Sequence, residues 1–282
     1  MVLTKGITVL SKKGIKGRIQ INSGVQKALG YDIYNQMQFS ENAMKPKRDW
    51  RKITDKEYKL IVTESHKNPS SMVSIHSLPS KIINLFKKLD LASSIHNNDA
   101  HSKFAQKKDI ASLLNEALDS YLNRYSIKGH AKLHALVVMP TSLETTSFYY
   151  SDKNPEVKEY LGIHLDTSTE FKVYNGRYAK NRILINLGAE DRYFLFGNLT
   201  VNQLYKKLQT VKINTKKIDV GNLGESFFKA FPNYPILKIT LKPYEFYIAP
   251  TDNCLHDGTT MDKTKNDVSI SFLGNFRHQA IV

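Results

Sequence analysis

The second half of the chain is a succession of short strand-like segments, and this pattern is what most constrains the fold. Seven or eight runs rich in β-branched and aromatic residues follow Gly129 with turn residues between them, namely KLHALVVM, TSFYY, KEYLGIHL, NRILINL, RYFLFGNL, ILKITL, YEFYIAP and VSISFLGNF. Such a series predicts a barrel or sandwich, of which the jelly roll is one form. Two stretches of helical character, VNQLYKKLQ and GESFFKAF, interrupt the strands as an insertion.

The first half divides into a β-like part and a helical part. Residues 1–75 hold β-like pieces such as GITVL, GRIQI and YKLIV, which predict an accessory N-terminal segment. Residues 76–282 would hold two amphipathic helices and the β-rich core, with the whole chain forming one compact domain. The helices are SKIINLFKKLDL and residues 110–125, where apolar side chains recur every three or four positions. The polar segment between them, HNNDAHSKFAQKK, predicts a loop.

The chain is strongly basic, with a formal net charge of +15 over 282 residues. Clustered lysine and arginine would suggest nucleic-acid binding, because they release counterions from a phosphate backbone. Here the lysines are spread along the chain without an aromatic-interleaved basic motif, so we favour a generally basic surface and regard nucleic acid as an unlikely partner. An anionic small molecule or a peptide remains open as a partner. A basic β-rich protein that binds nucleic acid or another anion is the non-enzymatic alternative.

No apolar run is long enough to span a bilayer, and the N-terminal segment lacks the apolar region of a secretory signal. We therefore expect a cytoplasmic protein without a membrane partner. A single cysteine, Cys254, excludes an internal disulfide and suits a reducing compartment. We expect it to be a small buried apolar residue.

Three residues form a candidate metal site. The segment YLGIHLDTSTEF places His164 and Asp166 two positions apart at the end of a strand, so their side chains project from the same face. The segment PTDNCLHDGTT supplies His256 just before the last strand. Two histidines and one carboxylate form the facial triad of non-haem iron(II) oxygenases.

The segments LGIHLDTSTEF, NRILINLGAEDRYFLFGNL and APTDNCLHDGTT, in this order, resemble the catalytic core of the iron(II)- and 2-oxoglutarate-dependent dioxygenase superfamily. The resemblance covers residues 130–277. It implies a mainly β fold with buttressing helices, the double-stranded β-helix, which is a cupin-like jelly roll. It also implies that His164, Asp166 and His256 bind Fe(II), and that O2 and 2-oxoglutarate are consumed to hydroxylate a C–H bond with release of succinate and CO2.

The residue that would bind the far carboxylate of 2-oxoglutarate departs from the superfamily pattern. Residues 266–272, where many members carry an arginine, read NDVSISF. One face of this segment carries serines, and Ser271 could line the barrel interior. Arg182 is our first candidate for the charge, because an arginine can bind a carboxylate through two hydrogen bonds, and Asn186 lies on the same strand face. Arg192 and Arg277 are the reserves.

The substrate is open between an amino acid, a peptidyl side chain and a small specialised metabolite. Glu144, placed on a predicted strand, could contact it at the mouth of the pocket, although a solvent-exposed position is an equal alternative. His134 is expected on a strand with a structural role. The missing arginine also leaves open a cupin-like metal enzyme that does not use 2-oxoglutarate.

Overall fold

A computed structural model gives the fold and describes residues 3–11, 15–32, 37–65, 68–152, 154, 156–166, 172–176, 179–211 and 213–279. Residues 167–171 of the segment that follows Asp166 therefore lie outside the described residues. The helices are α1 (Asp55–Ile61), α2 (Ser80–Leu89), α3 (Asn97–Gln106), α4 (Lys108–Asn123), α5 (Val201–Leu208) and α6 (Val220–Ala230). No helix in these ranges is both long and apolar enough to cross a membrane.

The strands fall into an early and a late group. The early strands are β1 (Thr8–Leu10), β2 (Ile19–Ile21), β3 (Val25–Lys27), β4 (Tyr31–Asp32), β5 (Met37–Pro46), β6 (Arg51–Lys52), β7 (Val62–Thr63) and β8 (Met72–Ser77). The late strands are β9 (Ser126–Met139), β10 (Phe148–Tyr150), β11 (Lys158–Gly162), β12 (Asn181–Asn186), β13 (Arg192–Thr200), β14 (Leu237–Leu241), β15 (Glu245–Ala249), β16 (Cys254–Thr259) and β17 (Asp267–Phe276).

These strands form three sheets. The first has seven strands in the order β7-β1-β8-β15-β12-β17-β9, and the second has five in the order β16-β13-β14-β2-β6. The third has the order β10-β11-β5-β3, with β4 also paired to β5. Strands from residues 1–75 take part in all three sheets. The late strands pair antiparallel with each other, whereas β1 pairs parallel with β7 and β8, and β11 with β5.

The first two sheets share one apolar core. Leu184 and Tyr247 from the first sheet belong to the same buried cluster as Phe194, Phe196 and Ile239 from the second. Alternation along each strand decides which residues join this core, because successive side chains point to opposite faces. On β12, Leu184 faces inward while Ile183 and Ile185 face the helices.

Helices α2 and α4 cover the outer face of the first sheet. Phe86 of α2 and Leu118 of α4 pack in one cluster with Ile183, Phe246 and Ile270 of the sheet. Both predicted helices are confirmed, as is their buttressing position. The predicted helical insertion is also confirmed as α5 and α6, whose apolar faces pack in a separate cluster with Leu195 and Leu255 of the second sheet.

Three local expectations are wrong. The YKLIV piece is mostly helix α1, because Thr54 and Glu57 form a capping box that starts a helix ahead of it. The polar segment expected as a loop contains α3, whose N-terminus is capped by His96. Glu144 is not on a strand, because only Phe148–Tyr150 of that run pairs.

A candidate metal centre between two strand ends

The first histidine of the predicted triad follows a sharp turn at the end of β11. Gly162 has φ +69°, and a side chain there would lie 2.4 Å from the carbonyl oxygen of Met44 on β5. Only glycine permits both the positive φ and the close approach. The turn brings His164 beside His256 in an isolated antiparallel bridge, with the His256 N–H donating to the His164 carbonyl at 2.8 Å.

The three predicted ligands come together in the structure. The Nε2 atom of His164 lies 3.5 Å from Oδ1 of Asp166, and the Nε2 atom of His256 lies 3.6 Å from Oδ2. The Asp166 N–H donates to the carbonyl of Thr251 at 3.3 Å, which anchors the backbone of the loop after β11. The ligand atoms of the three residues lie within 4.8 Å of one another.

Backbone carbonyls set the tautomer of both imidazoles. Nδ1 of His164 lies 2.8 Å from the Gly162 carbonyl, and Nδ1 of His256 lies 3.1 Å from the Cys254 carbonyl. A carbonyl oxygen only accepts hydrogen bonds, so each Nδ1 must carry the hydrogen. The lone pair of each neutral ring is then on Nε2 and faces the carboxylate, as in metal-binding histidines whose other nitrogen donates to the protein.

The electrostatics of this cluster require a positive charge among the three groups. Burial works against a charged His164, but the carboxylates of Asp166 and Asp257 outweigh it and raise its pKa to about 10. Burial lowers the pKa of His256 to about 4. Burial alone would raise the pKa of Asp166, yet His256, His164 and Arg182 hold it well below its usual range. A proton on His164 supplies the positive charge here, and a divalent cation would supply it more fully.

The donor set fits a divalent metal ion. Two neutral imidazole nitrogens and one carboxylate oxygen converge on one point, and this is the only such cluster of histidine, cysteine and acidic side chains among the described residues. Imidazole and carboxylate ligands suit iron(II), and three protein ligands leave positions for further ligands.

Asp257 is a functional candidate that sequence reasoning missed. Its Oδ1 atom accepts hydrogen bonds from the backbone N–H groups of Thr146, Ser147 and Gly258 and from the Thr146 hydroxyl. Its Oδ2 atom is buried, accepts no hydrogen bond from a described residue, and lies 3.7 Å from Nδ1 of His164. The signal in the sequence was an acidic residue directly after the second histidine, inside a strand.

A cavity of about 310 Å³ adjoins the three ligands. It lies between the first two sheets and extends to β9 and β10. Besides the ligands, its walls include His134, Phe148, Arg182, Arg192, Tyr247, Asp257, Ser269 and Ser271. The predicted serine face of β17 does line it, while Val268 and Ile270 on the other face pack against the helices.

The two arginines in the cavity differ in their partners. Arg182 donates to Oδ2 of Asp166 at 2.6 Å and so neutralises the candidate metal ligand. Arg192 is buried and forms an ion pair with Asp267, which also binds Lys263 at 3.0 Å. Burial, together with the positive charge of Arg192, lowers the pKa of Lys263 to about 8. Of these three residues only Arg192 lines the cavity, and the carboxylates of Asp257, Glu190 and Asp191 also act on the two cations.

Three other predicted residues are not among those that line this cavity. The side-chain amide of Asn186 donates to the carbonyls of Glu190 and Leu241 and accepts from the N–H of Gly188. Asn186 therefore stabilises a turn. Arg277 donates to the Ser126 carbonyl. Glu144 is only 3% exposed, which excludes the solvent-exposed alternative, and its contact with a substrate stays a prediction. Its carboxylate binds Lys45 and Arg48.

No protein-family model and no curated protein matches this chain. Among solved structures it is similar to those of the Kdo hydroxylase KdoO, a non-haem Fe(II) alpha-ketoglutarate-dependent dioxygenase. The cobalt(II) complex aligns with 10% identity and a TM-score of 0.35, and the complex with alpha-ketoglutarate and Fe(III) with 11% and 0.36. Each alignment covers 74% of this chain and 81% of the other.

Proposed function

We propose that this chain is a non-haem iron(II) oxygenase that uses 2-oxoglutarate and is built on a double-stranded β-helix. The order of the late strands supports that fold. We number the strands β9, β11 and β12 to β17 as strands 1 to 8 in chain order. In the first sheet they have the order 1-8-3-6, and in the second the order 7-4-5. Strand 2 joins strand 7 through the His164–His256 bridge. This alternation between two sheets is that of a jelly roll.

One observation carries the proposed metal site. With both rings neutral, three acceptor atoms face one point, those of His164, Asp166 and His256. Each histidine donates its one N–H, on Nδ1, to a backbone carbonyl. These acceptors repel one another unless a positive charge lies between them, either the proton on His164 or, as we propose, a metal ion. The protein's contribution is to fix these ligands at the ends of two strands that are hydrogen-bonded to each other.

We assign the far carboxylate of 2-oxoglutarate to Arg192 in preference to Arg182. Arg182 is paired with Asp166, a candidate metal ligand, whereas Asp267, the carboxylate partner of Arg192, is shared with Lys263 and does not line the cavity. Gly258 lets the Arg192 guanidinium approach β16 closely, since a side chain at this position would lie 3.1 Å from its Nη2 atom and 2.6 Å from the Thr146 hydroxyl oxygen. Gly258 follows His256 by two positions on the same strand face, so the arginine and the metal ligand share one side of β16. Ser269 and Ser271 supply hydroxyl groups in the same cavity.

When bound, iron, 2-oxoglutarate and O2 would supply the oxidising power to hydroxylate a C–H bond. The chain would bind the cosubstrate, exclude water and orient a substrate between the two sheets. The net charge of +15 favours a substrate that carries a negative charge, either a small molecule or a peptide with acidic residues.

Succinate formation tests the proposal. Protein loaded with iron(II) under anaerobic conditions should convert 2-oxoglutarate to succinate when oxygen is admitted, and His164→Ala should abolish this turnover. His101→Ala is the matched control, because His101 is an exposed histidine on α3. Iron bound at one per chain without succinate, even with a panel of anionic substrates, would retain the metal site and exclude 2-oxoglutarate. Absence of both iron and succinate would exclude the oxygenase.

A further inference from the structure

Lys238 is a buried lysine between two aromatic rings on the outer face of the second sheet. Its neighbours on β14, Leu237 and Ile239, belong to the core between the sheets, so its own side chain points to the opposite face. Its Nζ atom lies 4.7 Å from the ring centre of Trp50 and 5.2 Å from that of Tyr193.

This amino group lacks a partner within the part of the chain that the structure describes. Lys238 is only 7% exposed, and its Nζ atom has neither a hydrogen bond nor an ion pair to a described residue. The two rings compensate only in part for the lost hydration, because a buried charge is unfavourable unless it is paired. Burial accordingly lowers the pKa of Lys238, and an anion beside it would raise that pKa again.

A small cavity lies next to the amino group. Its volume is about 130 Å³, and its walls include Arg48, Trp50, Glu144 and Asp262. One water molecule occupies about 30 Å³ in the liquid, so the cavity has room for a carboxylate or phosphate group. None of its lining residues lines the cavity at the metal centre, so the site is independent of the proposed oxygenase function.

Neither carboxylate in the wall of this cavity forms an ion pair with Lys238. The Glu144 carboxylate is occupied, since one oxygen binds Lys45 at 2.6 Å and the other binds Arg48 at 2.8 Å. Asp262 is exposed, and it forms no ion pair with Lys238. Lys238 is therefore the most deeply buried cation of this wall and has no carboxylate of a described residue within ion-pair distance, although the charge of Asp262 opposes the effect of burial on its pKa.

We propose that this cavity binds a small oxyanion, the carboxylate or phosphate group of a ligand, which pairs with Lys238 while Arg48 contacts it from the rim. Arg48 suits this role because its side chain is 57% exposed and keeps donors free beyond those bound to Glu144. The ring of Trp50 forms one wall, so the bound group changes the surroundings of the indole directly.

Trp50 is the only tryptophan of the chain, so its fluorescence reports on this site alone. Wild-type protein is titrated separately with acetate and with inorganic phosphate. Each anion replaces chloride in the buffer, so that the ionic strength stays constant. We expect a saturable change with half-saturation on the order of 1 mM, the affinity of a few polar contacts. Lys238→Met should abolish it. Lys242→Met is the matched control, because Lys242 is an exposed lysine that follows the same strand, and it should retain the wild-type midpoint within about twofold.

The two ligands distinguish the source of the oxyanion. Saturation by phosphate alone assigns a phosphate group, and saturation by acetate alone assigns a carboxylate. The proposal is overturned if neither anion gives a saturable change, or if folded Lys238→Met responds like the wild type. If Lys238→Met does not fold, Arg48→Gln is the second test. An unchanged midpoint of the anion titration in Arg48→Gln would also reject the site.

Discussion

His164 and His256 form a mutual pair of backbone hydrogen bonds, at 3.1 Å and 2.8 Å, and their imidazole rings lie 4.8 Å apart, centre to centre. Residues distant in the chain are thereby held opposite each other at the junction of two sheets. The geometry of the candidate metal centre depends on this pair, since it fixes the backbones of both histidines.

Binding of one divalent metal ion at pH 7 should release about one proton. With a pKa of about 10, His164 is protonated at this pH, whereas His256, with a pKa of about 4, is neutral. A metal binds the neutral imidazole, so His164 must lose its proton and His256 loses none. The affinity should therefore rise about tenfold for each pH unit between pH 6 and 8.

Calorimetry with cobalt(II) in buffers of different ionisation enthalpy measures this release. The control is His164→Ala, in which the released proton should disappear together with most of the affinity. Release of two protons, or of none, would contradict the assignment of charge to His164.

Asp257→Asn should weaken metal binding by about 10- to 100-fold, the usual effect of losing a group that supports a metal-binding histidine. The amide keeps an oxygen for the N–H groups of Thr146 and Ser147 but removes the negative charge beside His164. Equilibrium titration with cobalt(II) measures the affinity, and the visible spectrum of the bound ion should shift. Glu116→Gln makes the same chemical change at an exposed position of α4 and should leave both unchanged. An unaltered affinity in folded Asp257→Asn would reject this role.

Arg192→Lys should raise the KM for 2-oxoglutarate by about 10- to 100-fold, because loss of one of two charge-assisted hydrogen bonds costs about 1.5–3 kcal/mol. Steady-state succinate formation over a range of 2-oxoglutarate concentrations measures it. Arg277→Lys, which lies outside the cavity lining, serves as the control. If Arg182→Lys instead raises this KM and Arg192→Lys does not, our first candidate from the sequence is the anchor.

Leu118→Ala should reduce the free energy of unfolding by about 2–5 kcal/mol, since it leaves a hole where α4 packs on the first sheet. Leu113→Ala removes the same atoms from the same helix at a position that is 56% exposed, and it should change stability by less than about 0.5 kcal/mol. Urea denaturation followed by circular dichroism compares the two. Similar losses in both variants would contradict burial of Leu118 as the cause, since alanine has a higher helix propensity than leucine at either position.

Local patterns in the sequence determined much of the architecture. Helices α2, α4, α5 and α6 were predicted because their apolar residues recur with the helical period, and this pattern reflects the face that each helix buries. The strand runs after Gly129 were equally visible. Helices α1 and α3 were not predicted, because YKLIV is β-like in composition and HNNDAHSKFAQKK is polar. Both helices begin at capping side chains that bind free backbone N–H groups.

Only the tertiary structure decided which polar residues meet. The two-residue spacing of His164 and Asp166 allowed a shared face, but their distance to His256 depends on a bridge between strands far apart in the chain. Sequence spacing could not show that Arg182 pairs with Asp166, that Asn186 holds a turn, or that Asp257 lies beside His164. These contacts arise because sheet pairing brings together residues that are far apart in the chain. Helical periodicity, in contrast, is visible in residues that are close together in the sequence.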